Sequence, residues 1–124
     1  MKVKILIVDD EKFFVEPIKL ILQKNGFEVI VAWDGMSGLK VARTQNPDII
    51  MLDLMLPGIS GYQVCRLLKF DEQYEHIPII MVSAMDSERD YKLGQQTGAD
   101  LYITKPVSPD KLIKEIKQLL DKKN

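Results

Sequence analysis

Five side chains able to do chemistry lie at or just beyond the ends of apolar runs. Asp9 and Asp10 end one such run, and Asp53 ends another just before a Pro-Gly turn. Ser83 follows a third run, and Lys105 lies shortly after a fourth. Carboxylates, a hydroxyl and an amine can bind a cation, act as nucleophiles and donate hydrogen bonds to an anion. The sequence therefore raises the question of whether the fold brings these groups into one site.

Five short apolar runs must position these side chains. The runs are rich in Ile and Val and do not alternate with polar residues, which is typical of strands buried on both faces of a parallel sheet. Their starts lie about 20 to 30 residues apart, which leaves room for one helix between successive strands. The predicted strands are residues 5–8, 29–32, 49–52, 79–82 and 101–103.

Helical spacing is found between the strands and after the last of them. The first helix is predicted to begin near Phe14 and to stop at Gly26, which would leave Pro17 in the first turn, where a missing N–H is tolerated. Glu11 is interpreted as a partner of this helix's dipole rather than as a ligand. The other helices are predicted at about 35–45, after the N-cap Ser60, at 87–98 and after the N-cap Ser108.

This alternation predicts an α/β fold, a parallel sheet with helices on both faces. The carboxyl ends of parallel strands lie along one edge of the sheet, where ligands of open α/β sheets bind. The three acids, Ser83 and Lys105 should therefore converge, although they lie up to about 95 residues apart in the sequence.

Three carboxylates in one crevice predict a cation. Like charges about 4 Å apart cost roughly 1–4 kcal/mol per pair, and Lys105 supplies only one positive charge. Mg²⁺ accepts such oxygen ligands and leaves positions for phosphate oxygens, whereas zinc would favour His or Cys. A carboxylate beside a metal and an ammonium can attack phosphorus, and a nearby hydroxyl such as Ser83 could then respond to the new phosphoryl group.

Composition narrows the class of protein. The 124 residues suit one domain, predicted to span 1–124, and the net charge of −1 favours neither nucleic acid nor an anionic membrane as a partner. The lone Cys65 and the lack of a long apolar run lead us to expect a cytoplasmic protein.

Four motifs together resemble the receiver domain of two-component response regulators. They are "VDDE" at 8–11, "DLMLPGISG" at 53–61, "SA" at 83–84 and "KP" at 105–106. The resemblance covers essentially the whole chain. It implies a flavodoxin-like (βα)5 three-layer sandwich with five parallel strands in the order 2-1-3-4-5.

The same resemblance implies a phosphorylation site and a metal site. Asp53 would accept a phosphoryl group from a histidine kinase or phosphotransfer protein. Asp9, Asp10, Asp53 and the backbone carbonyl of Met55 would bind Mg²⁺, with Asp9 acting largely through water. Lys105 would contact the phosphate.

Further residues are implied to transmit the signal. Ser83 would be the switch hydroxyl and Tyr102 the aromatic side chain that changes rotamer, and the Lys105–Pro106 peptide bond would be cis. Phosphorylation would remodel the surface formed by the fourth helix, the fifth strand and the fifth helix, which would control a downstream protein or an attached output domain. A homodimer through this surface is left open. Direct binding of nucleic acid or a membrane by this chain is not expected.

Two alternatives from other classes are disfavoured by particular positions. A phosphatase of the haloacid-dehalogenase type would carry a second acid two residues after its nucleophile, where this chain has Met55. A flavin carrier would need a phosphate-binding Ser/Thr/Gly loop after the first strand, where this chain is acidic. We therefore expect a phosphoacceptor that assists its own phosphorylation and dephosphorylation, not a turnover enzyme. The resemblance also implies that the side chains of Met55 and Met85 flank the path of the water that attacks the acyl phosphate. Because their thioethers offer this water no hydrogen bond, we expect slow dephosphorylation.

Overall fold

A computed structural model describes residues 2–84, 92 and 95–123. Its five strands form one parallel sheet in the order β2-β1-β3-β4-β5. The fold class and strand order predicted from the sequence are therefore confirmed. The strands are β1 (Lys4–Val8), β2 (Glu28–Ala32), β3 (Ile49–Asp53), β4 (Ile79–Ser83) and β5 (Leu101–Thr104). The helices are α1 (Lys12–Lys24), α2 (Gly35–Gln45), α3 (Gly61–Lys69) and the C-terminal helix (Pro109–Lys123).

Alternate residues of the central strands enter two separate core layers. In β1, Leu6 and Val8 pack on the side of α2 and α3, whereas Ile5 and Ile7 pack on the side of α1 and the C-terminal helix. The predicted burial on both faces is correct for β1, β3 and β4. The edge strands β2 and β5 are only partly buried, because each has a neighbouring strand on one side only.

The start of α1 differs from the prediction. The helix begins at Lys12, so Pro17 lies inside it rather than in its first turn. The backbone N–H groups of Phe14 and Val15 both donate to the carbonyl of Glu11, at 3.0 Å, which fixes the earlier start. Pro17 is exposed, so water can hydrogen-bond the carbonyl that the proline leaves without a helical donor.

Several predicted boundaries agree with the structure. Ser60 forms a capping box with Gln63 at the start of α3, and Gly26 follows α1 in a left-handed conformation with φ of +89°. The predicted fourth helix lies mostly outside the described residues, although Lys92, Gln95 and Gln96 within it are helical. In the part of the chain that is described, no helix is both long enough and apolar enough to cross a membrane.

Candidate functional site

Three carboxylates meet at the carboxyl edge of the sheet. Asp9 directly follows β1, Asp53 is the last residue of β3, and the two strands are neighbours in parallel register. Asp9 and Asp53 are buried, with 2% and 4% of their surfaces exposed, whereas Asp10 is exposed. One oxygen from each of the three carboxylates lies within 4.8 Å of the others. The predicted convergence of the three acids is therefore present in the fold.

Lys105 reaches into this acidic group from the neighbourhood of β5. Its backbone N–H donates to the carbonyl of Ser83 at 2.8 Å, which holds the segment after β5 against the end of β4. Its Nζ lies 2.9 Å from Oδ2 of Asp9 and 3.5 Å from Oδ2 of Asp53. A third carboxylate, that of Glu11, is 2.8 Å away. One ammonium group thus contacts three acids.

Backbone N–H groups orient the two buried carboxylates. The N–H of Glu11 donates to Oδ1 of Asp9 at 2.8 Å, and the N–H of Met55 donates to Oδ1 of Asp53 at 3.1 Å. In both acids the other oxygen, Oδ2, faces Lys105. The loops after β1 and β3 therefore fix which oxygen of each acid faces the amine.

Burial and charge crowding shift the pKa values of these groups. Burial, followed by the charge of Asp9, raises the pKa of Asp53 from 3.8 to about 6. Burial also raises the pKa of Asp9, although the hydrogen bond from Lys105 opposes the shift. For Lys105, burial lowers the pKa, but hydrogen bonds to Glu11 and Asp9 outweigh it and the net shift is upward. The group of acids therefore carries more negative charge than one lysine neutralises.

The donor set fits a hard divalent cation. Asp9, Asp10 and Asp53 offer one oxygen each within a small space, and Mg²⁺ prefers carboxylate oxygens. The raised pKa of Asp53 points the same way, because a second cation would offset both contributions to it, the burial of the carboxylate and the charge of Asp9. The residues present therefore fit the Mg²⁺ expected from the sequence.

The structure also positions the residues expected to transmit a signal. Ser83 is the last residue of β4, is buried, and lies one register step beyond Val82, the partner of Asp53. Tyr102 is a partly buried residue of β5 that packs against the core layer next to α2 and α3. The Lys105–Pro106 peptide bond is cis, the isomer that the resemblance implies. Met55 is 59% exposed, and Met85 lies outside the described residues.

Two contacts of Lys105 were missed by the sequence analysis. Glu11 was interpreted as a helix-dipole partner, but its carboxylate pairs with Lys105. Phe14 was used to mark the start of the first helix, but the centroid of its ring lies 4.3 Å from Nζ of Lys105, within the range of a cation–π contact. The only sequence signal for Glu11 was its place directly after Asp9 and Asp10 in the motif "VDDE".

Removing the charge of Asp10 tests the crowding of the acids. Without divalent cations, we expect Asp10→Asn to raise the melting temperature by roughly 2–4 °C, since it removes repulsion from Asp9 and Asp53. Thermal unfolding with a chelator present measures the change. A lower melting temperature would mean that the Asp10 carboxylate stabilises the fold through hydrogen bonds instead.

Comparisons with known proteins agree with this geometry. The family model for the response regulator receiver domain matches residues 5–117. Over 120 residues the chain is 44% identical to the alkaline phosphatase synthesis transcriptional regulatory protein PhoP of Bacillus subtilis, covering 97% of this chain and 49% of that protein. Over 116 residues it is 45% identical to the sensory transduction protein RegX3 of Mycolicibacterium smegmatis, covering 94% of this chain and 50% of that protein.

A solved structure gives the same result for the fold. The CheY-like response regulator receiver domain protein of Methanospirillum hungatei superposes with a TM-score of 0.92 at 30% identity, over 99% of this chain and 97% of that one. The chain spans about half the length of the two curated relatives. The family match, extending from β1 into the C-terminal helix, establishes that the chain belongs to the response regulator receiver domains of two-component signal transduction.

Proposed function

We propose that this chain is a phosphorylation-activated switch in which Asp53 accepts a phosphoryl group from a histidine kinase or a phosphotransfer protein. The observation that carries the proposal is the buried Asp53 carboxylate, which lies among two further acids and faces Lys105 at 3.5 Å. Because the pKa of Asp53 is about 6, this carboxylate is mostly ionised at neutral pH and available as a nucleophile.

In the proposed reaction, a carboxylate oxygen of Asp53 forms a bond to phosphorus while the bond from phosphorus to the donor breaks. The donor keeps that electron pair and takes up a proton from solvent. The Met55 N–H binds Oδ1 of Asp53, which leaves Oδ2, on the side of Lys105, as the oxygen that attacks. The ammonium of Lys105 then stabilises the charge on the transferring phosphoryl group. Mg²⁺ held by Asp9, Asp10, Asp53 and the Met55 carbonyl would supply further charge neutralisation at the phosphoryl oxygens.

The acyl phosphate would add about one negative charge and three acceptor oxygens at the end of β3. Ser83, at the end of the adjacent strand, is proposed to hydrogen-bond one of these oxygens, and Tyr102 to repack in response. The output surface would comprise the predicted fourth helix, β5 and the C-terminal helix. Any homodimer of this chain would form through the same surface. It would act on a downstream protein or an attached output domain. We propose a cytoplasmic location, with no nucleic-acid binding by these 124 residues themselves.

The test is cation-dependent phosphoryl transfer from a small acyl phosphate. With Mg²⁺ present, intact-mass spectrometry should detect one added phosphoryl group per chain. With a chelator in place of Mg²⁺, incorporation should fall to background, because the acids would repel the incoming anion. Equal incorporation with and without the divalent cation would contradict the proposed metal requirement, and no incorporation in either case would contradict the phosphoacceptor function.

Dephosphorylation tests the role proposed for Met55. The resemblance places this side chain beside the path of the attacking water, where its thioether offers no useful hydrogen bond. We expect Met55→Gln to speed decay of the acyl phosphate by about two- to tenfold, the effect of one added hydrogen bond. Loss of the phosphoryl group over time, followed by intact mass, measures the rate.

Met36→Gln is the matched control, because Met36 is a similarly exposed methionine on α2. Its decay rate should equal that of the unsubstituted protein. Equal decay in the Met55→Gln protein would contradict the role assigned to this position.

A further inference from the structure

The ammonium of Lys105 is held on the side of α1 in the unphosphorylated protein. Its contacts with Oε1 of Glu11 and Oδ2 of Asp9 are 2.8 and 2.9 Å long, whereas its contact with Oδ2 of Asp53 is longer, at 3.5 Å. The centroid of the Phe14 ring lies 4.3 Å from the same nitrogen. Glu11 and Phe14 both belong to the start of α1, so two adjacent groups draw the amine away from Asp53.

The side chain of Glu11 does not hydrogen-bond the helix that follows it. Glu11 is the N-cap of α1, yet its side chain accepts no hydrogen bond from the first turn. Its carboxylate instead crosses to Lys105, 94 residues away in the sequence. Glutamate is not a favoured N-cap residue, so the helix end loses little when this carboxylate pairs with Lys105 instead.

We propose that Glu11 is a positioning residue that restrains Lys105 and opposes its pairing with a phosphoryl group on Asp53. This inference rests on the proposed function, because Lys105 must move or turn toward the phosphoryl group for the restraint to matter. The side chain of Glu11 is 58% exposed, whereas that of Lys105 is 9% exposed. The Glu11 carboxylate can therefore turn into solvent and release the amine at little cost in free energy. This suits a restraint that yields on phosphorylation.

Two substitutions of Glu11 distinguish its restraint of Lys105 from the general effect of its negative charge on the site. Glu11→Gln removes the charge, whereas Glu11→Asp keeps it but shortens the side chain by one C–C bond of about 1.5 Å. Aspartate is also a favoured N-cap, so its carboxylate should bind the N–H groups of the first turn and release Lys105. We expect both variants to raise the initial rate of phosphorylation by an acyl phosphate about two- to fivefold, the range for a partly exposed ion pair.

The Lys105→Met substitution shows whether the effect of Glu11 depends on Lys105. Glu16→Gln shows whether the loss of another exposed charge on α1 has the same effect. In a Lys105→Met background, Glu11→Gln and Glu11→Asp should leave the rate unchanged relative to Lys105→Met alone. Glu16→Gln removes one exposed negative charge farther along α1 and should also leave the rate unchanged. The inference is overturned if neither Glu11 variant is faster, if only Glu11→Gln is faster, or if the acceleration persists without Lys105.

A second measurement does not depend on phosphoryl transfer. In chelated protein, acylation of the Lys105 amine by an amine-reactive ester, followed by mass spectrometry, should be at least about twofold faster in both Glu11 variants than in the unsubstituted protein. Unchanged acylation in both would overturn the restraint. If the unsubstituted protein accepts no phosphoryl group but acylation rises as expected, the restraint holds and the proposed function fails.

Discussion

Replacing Asp53 with asparagine is expected to abolish phosphoryl incorporation and, without divalent cations, to stabilise the fold at neutral pH by about 2 kcal/mol. The first effect follows because the amide is not a nucleophile toward the donor. The second follows from the pKa of Asp53, which burial and the charge of Asp9 raise from 3.8 to about 6. Function and stability are therefore expected to change in opposite directions at this residue.

The sign of the stability change depends on pH. Between pH 3.8 and about 6, the folded protein keeps a proton on Asp53 that the unfolded chain has released. The unsubstituted protein therefore loses stability as pH rises through this range, and the loss persists above it. Asparagine cannot ionise, so the Asp53→Asn protein does not lose this part of its stability.

Urea unfolding with a chelator, at about pH 4 and about pH 7.5, measures the difference between the two proteins. The gain of Asp53→Asn should be small at the lower pH and large at the higher one. Asp121→Asn, at an exposed position of the C-terminal helix, should change stability by less than about 0.5 kcal/mol at both. An Asp53→Asn protein that is less stable than the unsubstituted one at neutral pH would refute the charge-crowding account.

Adding a methyl group at Gly61 is expected to destabilise the fold by about 3 kcal/mol or more. A Cβ there would overlap the backbone carbonyl of Asp53 and crowd Cα of Leu54. These are backbone atoms, which cannot move aside as the end of a side chain can. The N–H of Gly61 also donates to the carbonyl of Leu54 at 3.0 Å, so α3 begins directly against the end of β3. Gly61→Ala should therefore also displace Asp53.

Gly58→Ala provides the matched comparison for Gly61→Ala. Gly58 lies in the same loop, with φ of +73° and no atom within 4 Å of an added Cβ, so alanine there costs only the left-handed backbone, about 1–2 kcal/mol. Urea unfolding of both variants measures the costs. A Gly61→Ala protein that is no less stable than Gly58→Ala would contradict the close packing of α3 against the Asp53 loop.

The positions of the strands could be predicted because they depend on local sequence patterns. The proximity of the acids could be predicted because it depends on one topological rule. Continuous Ile- and Val-rich runs locate the strands to within one residue, as for 5–8 against Lys4–Val8. A parallel sheet then places all the carboxyl ends at one edge, so the proximity of Asp9, Asp53 and Lys105 needs no knowledge of the loops.

Features that depend on tertiary contacts could not be predicted in the same way. The partner of Glu11 is a lysine 94 residues away, and nothing in the local sequence distinguishes that contact from a helix-dipole interaction. Likewise, α1 starts at Lys12 rather than near Phe14, although this leaves Pro17 beyond the first turn, because burial of Val15, Ile18 and Leu22 on its inner face outweighs the proline's local preference. Propensity alone predicts the later start.

The most direct test of the account is to find which residue carries the phosphoryl group. The protein is incubated with Mg²⁺ and a small acyl phosphate, reduced with borohydride to convert the acyl phosphate into a stable alcohol, and digested for tandem mass spectrometry. The account predicts one reduced residue, at position 53. A reduced residue at position 9 or 10, or a phosphoryl group on any hydroxyl side chain, with Asp53 unmodified, would contradict it.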